Sequence, residues 1–146
     1  FLYKTEVTDA GLVHLKGLTS LQALNLEATK VTDAGMVYLK GLTNLQYLNL
    51  MNTPITDAGL VHLKELTNLQ HLDLGATKIT DAGLVHLTGL GELRNLSVSG
   101  LPISDHVLVH LKRLTNLNSL TLRDTQITDA GVADLKKSLP NCKITK

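Results

Sequence analysis

The sequence predicts an α/β fold of one kind: a curved, right-handed solenoid with a parallel sheet on its concave side and short helices on its convex side. Three observations carry this reading. Leucine supplies 32 of the 146 residues. Leu21, Leu45, Leu69, Leu93 and Leu117 are spaced by 24, and the columns through Leu24–Leu120 and Leu26–Leu122 (Val98 in one place) keep that period. The string TDAG recurs at 8–11, 32–35, 56–59, 80–83 and 128–131, with SDHV at 104–107 in the remaining slot. A fixed internal period of this length marks stacked units, none of which buries its apolar face alone.

Each unit reads as strand, loop, helix and turn. In Leu48-Asn49-Leu50 the apolar residues alternate, the two-residue period of a short strand. Leu60, Leu63 and Leu66 then lie on one face of a helix. Thr56 stands at the N-cap and Asp57 in the first turn, where cap and dipole are both served. Lys64 lies near the helix end, with Lys16, Lys40 and Lys112 in the same column. The six helix-start aspartates are thereby assigned to helix chemistry. Gly59 and its counterparts Gly11, Gly35, Gly83 and Gly131 cost a helix about 1 kcal/mol relative to Ala, so a close approach at the helix start is expected there. Strands stack ~4.8 Å apart and helices no closer than ~8–10 Å, and the mismatch bends the stack. Helices are expected after Thr8, Thr32, Thr56, Thr80, Ser104 and Thr128, and seven parallel strand segments near Leu2, Leu24–Leu26, Leu48–Leu50, Leu72–Leu74, Leu96–Val98, Leu120–Leu122 and Cys142–Ile144.

Composition removes several classes of function. Leu, Ile, Val and Phe make up 48 of the 146 residues, too many for a disordered chain. Aromatics are 3% and Trp is absent, so the core is aliphatic. Fourteen basic residues against 13 acidic ones leave a formal charge of +1, not the basic surplus of a nucleic-acid or anionic-membrane binder. No apolar run approaches the ~20 residues of a membrane span. One cysteine, Cys142, excludes an internal disulfide framework and a Cys-based metal cluster. It favours a reducing, cytoplasmic compartment, but localisation is left open, since any signal peptide would lie upstream of Phe1.

The chain is expected to form one domain: a truncated first repeat over 1–20, five repeats over 21–138 and a capping strand over 139–146. It opens within a strand, with Leu2 matching Leu26, which reads as a cut through a longer protein. An apolar edge of Leu2, Leu12, Leu15 and Leu18 beside an unpaired strand at Phe1–Tyr3 would then favour self-association. At the other end Leu139-Pro-Asn-Cys142-Lys-Ile144 repeats the leucine spacing two residues early, after a shortened helix, with Cys142 at a strand leucine position.

The motif LxxLxLxxTxITDAGLxHLxxLTN, running over essentially the whole chain, resembles the leucine-rich repeat family. Its TDxGL segment is similar to the cysteine-containing subtype of F-box substrate receptors and bacterial tandem-repeat proteins. Where that subtype carries Cys or Asn after the strand, Thr29, Thr53, Thr77 and Thr125 stand here, whose hydroxyls can bond neighbouring loop backbone. No F-box is present, so no ubiquitin-ligase role follows. The resemblance implies a protein-binding scaffold without chemistry or cofactor.

The residues between the strand leucines face the concave surface and, unlike the structural columns, do not repeat. They are Ala23, Tyr47, His71, Asn95 and Ser119; Asn25, Asn49, Asp73, Ser97 and Thr121; and Tyr3, Glu27, Met51, Gly75, Ser99 and Arg123. From these, and from Arg94 beside them, a binding patch of Tyr47, Asn49, Met51, His71, Asp73, Arg94 and Arg123 is expected, its mixed charge suiting a protein or peptide. A second column, His14, Tyr38, His62, His86 and His110, places one imidazole per helix, too far apart for two to reach one zinc. It is assigned to packing between helices. His71, Asp73 and Ser97 are the residue types of a hydrolase triad, but an open sheet offers no oxyanion hole and no dry pocket. No enzyme, metal site or cofactor is expected. The irregular repeat 93–116 has Leu101 for Thr and His106-Val107 for Ala-Gly; Val107 should push or rotate its helix, and Ser97, Ser99 and Gly100 should open a depression between His71/Asp73 and Arg123. The function this supports is a non-catalytic binding scaffold. Its alternative is a structural spacer or regulatory segment of a larger multidomain protein.

Overall fold

The computed structural model describes residues 2–146. Six three-residue strands, β1 (Ala23–Asn25), β2 (Tyr47–Asn49), β3 (His71–Asp73), β4 (Asn95–Ser97), β5 (Ser119–Thr121) and β6 (Lys143–Thr145), form one parallel sheet in sequence order. The register keeps the 24-residue period: Leu24, Leu48, Leu72, Leu96 and Leu120 stand side by side, with Ile144 next. β1 to β5 each start one residue before the predicted leucine and end before the second, whereas β6 starts one residue after Cys142 and ends one after Ile144. The expected segment at Leu2 is not a regular strand, yet Leu2 N–H donates to the Asn25 carbonyl (2.9 Å) and Lys4 N–H to that of Glu27 (2.8 Å). These are the bonds that Leu26 and Ala28 make to Asn49 and Met51. Phe1, the first residue of the predicted edge strand, lies outside the described residues.

The helices are shorter than the leucine spacing suggests. α1 (Asp9–Leu12), α2 (Asp33–Met36) and α3 (Asp57–Leu60) are single α turns, each running into a 3₁₀ turn at Val13–Leu15, Val37–Leu39 and Val61–Leu63. After Thr80 only a 3₁₀ segment at Leu84–Leu87 forms. In the irregular repeat the order reverses, a 3₁₀ turn at Asp105–Val107 preceding α4 (Leu108–Leu111). Val107 is fully buried at that reversal. The last helix, α5 (Asp129–Ser138), has ten residues and is the longest, not a shortened one. The period of Leu42, Leu66, Leu90 and Leu114 calls for Leu at 138; Leu139 arrives one residue late, and the extra residue accommodates the longer helix before Pro140 ends it. Cys142 is likewise one residue beyond the place of Leu117, and Ile144, not Cys142, pairs with Leu120. Cys142 is buried, and desolvation raises its thiol pKa, as for a small core hydrophobe.

The core is one aliphatic cluster of leucines with Val31, Met36, Ile55, Ile79, Val98, Ile103, Val107 and Ile127. Leu12, predicted to lie on an exposed edge, is fully buried in it; Leu2 and Leu15 are partly buried, and only Leu18 is exposed, at 48%. The Thr hydroxyls after the strands do not reach a neighbouring repeat. Thr29, Thr53, Thr77 and Thr125 each donate to the carbonyl three residues back, at 2.6–2.7 Å. Just before them runs a left-handed column, Lys4, Ala28, Asn52, Ala76, Gly100 and Asp124, with φ between 53° and 71°. For Ala this conformation costs about 1–2 kcal/mol. Ala76→Gly is therefore expected to raise stability by about 0.5 kcal/mol once glycine's extra unfolded-state entropy is subtracted. Ala58→Gly, in the α3 turn, should lower it by about 1 kcal/mol. Denaturant midpoints of the two variants test the opposite signs.

The helix-start aspartates do more than favour a dipole. Asp9 accepts from the backbone N–H of Thr32 (2.7 Å) and from its hydroxyl (2.7 Å), one repeat on. Asp33 holds Thr56, Asp57 holds Thr80, Asp81 holds Ser104 and Asp105 holds Thr128 in the same two-bond manner. The bonds to Thr128 keep the Asp105 carboxyl below its usual pKa, and those of Lys146 do the same for Asp129. This ladder explains the glycines. A Cβ on Gly59 would lie 2.6 Å from Asp33 Oδ1, and on Gly35, Gly83 and Gly131 it would strike the carboxylate of Asp9, Asp57 and Asp105. A second ladder runs along the helix–strand turns, where the amides of Asn44, Asn68 and Asn116 donate to the carbonyls of Thr19, Thr43 and Gly91 at 2.6–2.8 Å. Ser104 keeps its bonds to Asp81 although Val107 replaces the glycine.

Candidate functional site

Strand alternation sends the central leucines of β1–β5 into the core and the residues beside them to the open sheet face, with Ile144 of β6 packed against the core's end. Across that face the strands bring Tyr47, His71, Asn95 and Ser119 into one row and Asn49, Asp73, Ser97 and Thr121 into the next. The two rows enclose an open depression of ≈ 220 Å³, floored by the small side chains of repeats four and five and bounded by Tyr47, His71 and Asp73. The rings of Tyr47 and His71 lie 6.2 Å apart at 42°, an aromatic wall on one side.

The patch expected from sequence is only partly brought together. Tyr47, His71 and Asp73 line the depression and are half-buried. Met51 stands just beyond β2, 36% exposed. Asn49 is 7% exposed, its Oδ1 accepting from Met51 N–H (2.9 Å) and its amide donating to Glu27 (3.3 Å), so the fold already occupies it. Arg94 precedes β4 with the parity of Leu96 and is exposed at the rim, outside the depression. Arg123 follows β5, exposed and also outside it. The depression predicted between His71/Asp73 and Arg123 thus opens on the His71/Asp73 side. Asn95, Ser119 and Thr121 belong to it; they stand in the predicted columns but outside the expected patch. Parity alone separates Arg94 from the concave set.

His71 and Asp73 lie two residues apart on β3, and Ser97 is the β4 partner of Asp73, yet no hydrogen bond joins the three. The His62, His86 and His110 side chains are half-buried on the helix side. Among the described residues no group of three or more His, Cys, Asp or Glu could hold a metal ion, and no helix is long and apolar enough to cross a membrane.

Comparison with known proteins agrees with this architecture. Residues 43–86 match the family model of leucine-rich repeats in two copies, and residues 17–40 and 113–136 match that of the single leucine-rich repeat. No curated protein matches the chain. Among solved structures, an internalin (inlF) from Listeria monocytogenes is similar over 99% of this chain and 39% of its own, at 27% identity and a TM-score of 0.83. Internalin C2 (inlC2) of the same organism is similar over 97% of this chain and 67% of its own, at 28% identity and a TM-score of 0.72. The Leptospira interrogans protein LIC12759, over 92% of this chain and 33% of its own at 23% identity and a TM-score of 0.72, shares the fold. From the 24-residue period, the parallel ladder and these matches, the chain belongs to the leucine-rich repeat family.

Proposed function

We propose that the chain is a non-catalytic scaffold that binds a protein or peptide on its concave sheet face. The observation that supports this is the division of labour along the repeat. The leucine, Asp, Thr and Gly columns that recur with the period are occupied by folding: leucines by the core, Asp and Thr by the repeat-to-repeat clamp, Gly by the space that clamp needs. The side chains around the depression are outside this scheme, vary from strand to strand and combine aromatic, small polar and charged groups. Tyr and Arg are enriched among the residues that dominate interface energetics and Met among interface residues generally, and Tyr47, Met51 and Arg123 stand exposed or half-exposed along this face. Mixed charge, with Glu27 and Asp73 on one part of the face and Arg123 on another, favours a protein surface over a polyanion.

The test is selection of ligands from a displayed random-peptide library against the folded chain. Tyr47→Ala combined with Arg123→Glu is expected to weaken the selected peptides at least tenfold with little change in melting temperature. Val109→Asp, on the helix side, should leave them unaffected. Ligands that respond only to Val109→Asp would overturn the concave reading, and a sheet face that selects nothing would leave the chain a spacer.

A further inference from the structure

Asp73 carries a charge for which the fold has no use. At the end of β3 its Oδ1 accepts from Gly75 N–H at 2.8 Å. The same bond is made one strand back by Asn49 to Met51 N–H (2.9 Å), and one further by Asn25 to Glu27 N–H (2.9 Å). In β1 and β2 an amide oxygen two residues before the N–H makes this bond, while Ser97 and Thr121 at the ends of β4 and β5 make none among the described residues. In β3 a carboxylate replaces the amide, and its second oxygen has neither hydrogen bond nor ion pair among the described residues. That carboxylate borders the depression, beside a bare position at Gly75 and opposite Ser97 and Thr121.

Resting on the binding function proposed above, we infer that the depression receives a basic side chain of the bound segment, its cation meeting the free oxygen of Asp73. The argument is charge complementarity in a partly desolvated place. A half-buried carboxylate is less hydrated than one on an open surface, and a cation entering the depression strengthens the attraction by displacing water. The remaining lining fits the same guest. Ser97, Ser119, Thr121 and Asn95 offer acceptor oxygens to N–H groups, and the Tyr47–His71 wall offers an aromatic face. Arginine suits both, since its planar guanidinium stacks on rings and bonds in a fork, and lysine is the weaker guest.

The inference is tested with the peptides selected against the folded chain. They are expected to share an Arg or Lys at one fixed position, whose replacement by Met weakens binding at least tenfold. Asp73→Asn, which retains the oxygen that Gly75 needs, should weaken the basic peptide by a similar factor and leave the Met peptide unchanged, with the melting temperature of the chain preserved. Ser97→Leu, which fills the depression without touching the strand-end bond, should weaken the basic peptide through a second route. Peptides that are lost with Tyr47→Ala/Arg123→Glu but indifferent to Asp73→Asn would overturn the basic-guest inference and leave the concave binding site standing. A sheet face that selects no peptide would overturn both.

Discussion

Leu72→Ala is expected to lower the unfolding free energy by about 2–5 kcal/mol, the range for truncating a large aliphatic side chain in a packed interior. Leu72 is 2% exposed in the middle of the leucine row, between Leu48 and Leu96. A cavity there has no loop beside it to collapse into, which favours the upper part of the range. His71→Ala, one residue away on the open face, should cost less than about 0.5 kcal/mol. Chemical denaturation of the two variants compares neighbours on opposite faces of one strand. Equal midpoints would mean that the faces are wrongly assigned. Because each repeat is stabilised mainly by its neighbours, the loss at Leu72 should also appear as faster amide exchange in the flanking strands than at β6.

The second large effect is expected at Gly83. A Cβ there would meet the Asp57 carboxylate, with its Cγ at 2.9 Å and the Asp57 Cα at 3.1 Å. The backbone contact cannot be relieved by rotating a side chain, so Gly83→Ala strains the Asp57–Thr80 clamp. The irregular repeat holds Val107 with its clamp intact, in a unit whose helix order is reversed. The expected cost is about 1–3 kcal/mol, as for overpacked interiors, although in an ordinary helix the same change would stabilise by about 1 kcal/mol. Asp57→Ala alone removes the bonds to Thr80, at 2.8 and 2.7 Å, and should also destabilise. The double variant decides the cause. With the carboxylate gone, Gly83→Ala should cost much less than in the wild-type background, a coupling of more than about 0.5 kcal/mol between the sites. Strict additivity would show that the glycine is not there for the aspartate.

Both predictions concern columns that were visible in the sequence, but with different clarity. The leucine columns were legible because burial follows a simple period, and one apolar residue fits such a site by hydrophobicity and size alone. The aspartate column was legible as a pattern and misread as a mechanism. Asp after Thr at a helix start has a sufficient local explanation in the dipole, and a bond to a residue 23 positions away leaves no local trace. The glycine column had no local explanation, and that was the signal of a tertiary one. The left-handed column could have been found from Asn52, Gly100 and Asp124, residues that tolerate positive φ, had Ala28 and Ala76 not masked it.

The site shows the same division. Alternation assigned Tyr47, His71 and Asp73 to the open face, and the register confirmed which of them share it with Asn95, Ser97, Ser119 and Thr121. It could not reveal that Asn49 is consumed by Met51 and Glu27, since that depends on side-chain rotamers at the strand end. Nor did it show that Arg94 and Arg123 stand clear of the depression. At the closing end, the leucine spacing predicts a strand two residues early, whereas Leu139 stands one residue late in its own column. The consequence, a ten-residue helix with Ile144 returned to register beside Leu120, depends on how the last unit docks against the sheet.

By itself, then, the sequence determined the repeat, the parallel order of the strands and the identity of the core, because these follow from period and polarity. Only the tertiary structure decided what joins one repeat to the next and which open-face side chains remain free. Those outcomes rest on distances between residues some 24 positions apart. There a carboxylate can clamp a threonine, exclude a Cβ or, at Asp73, leave one oxygen facing solvent.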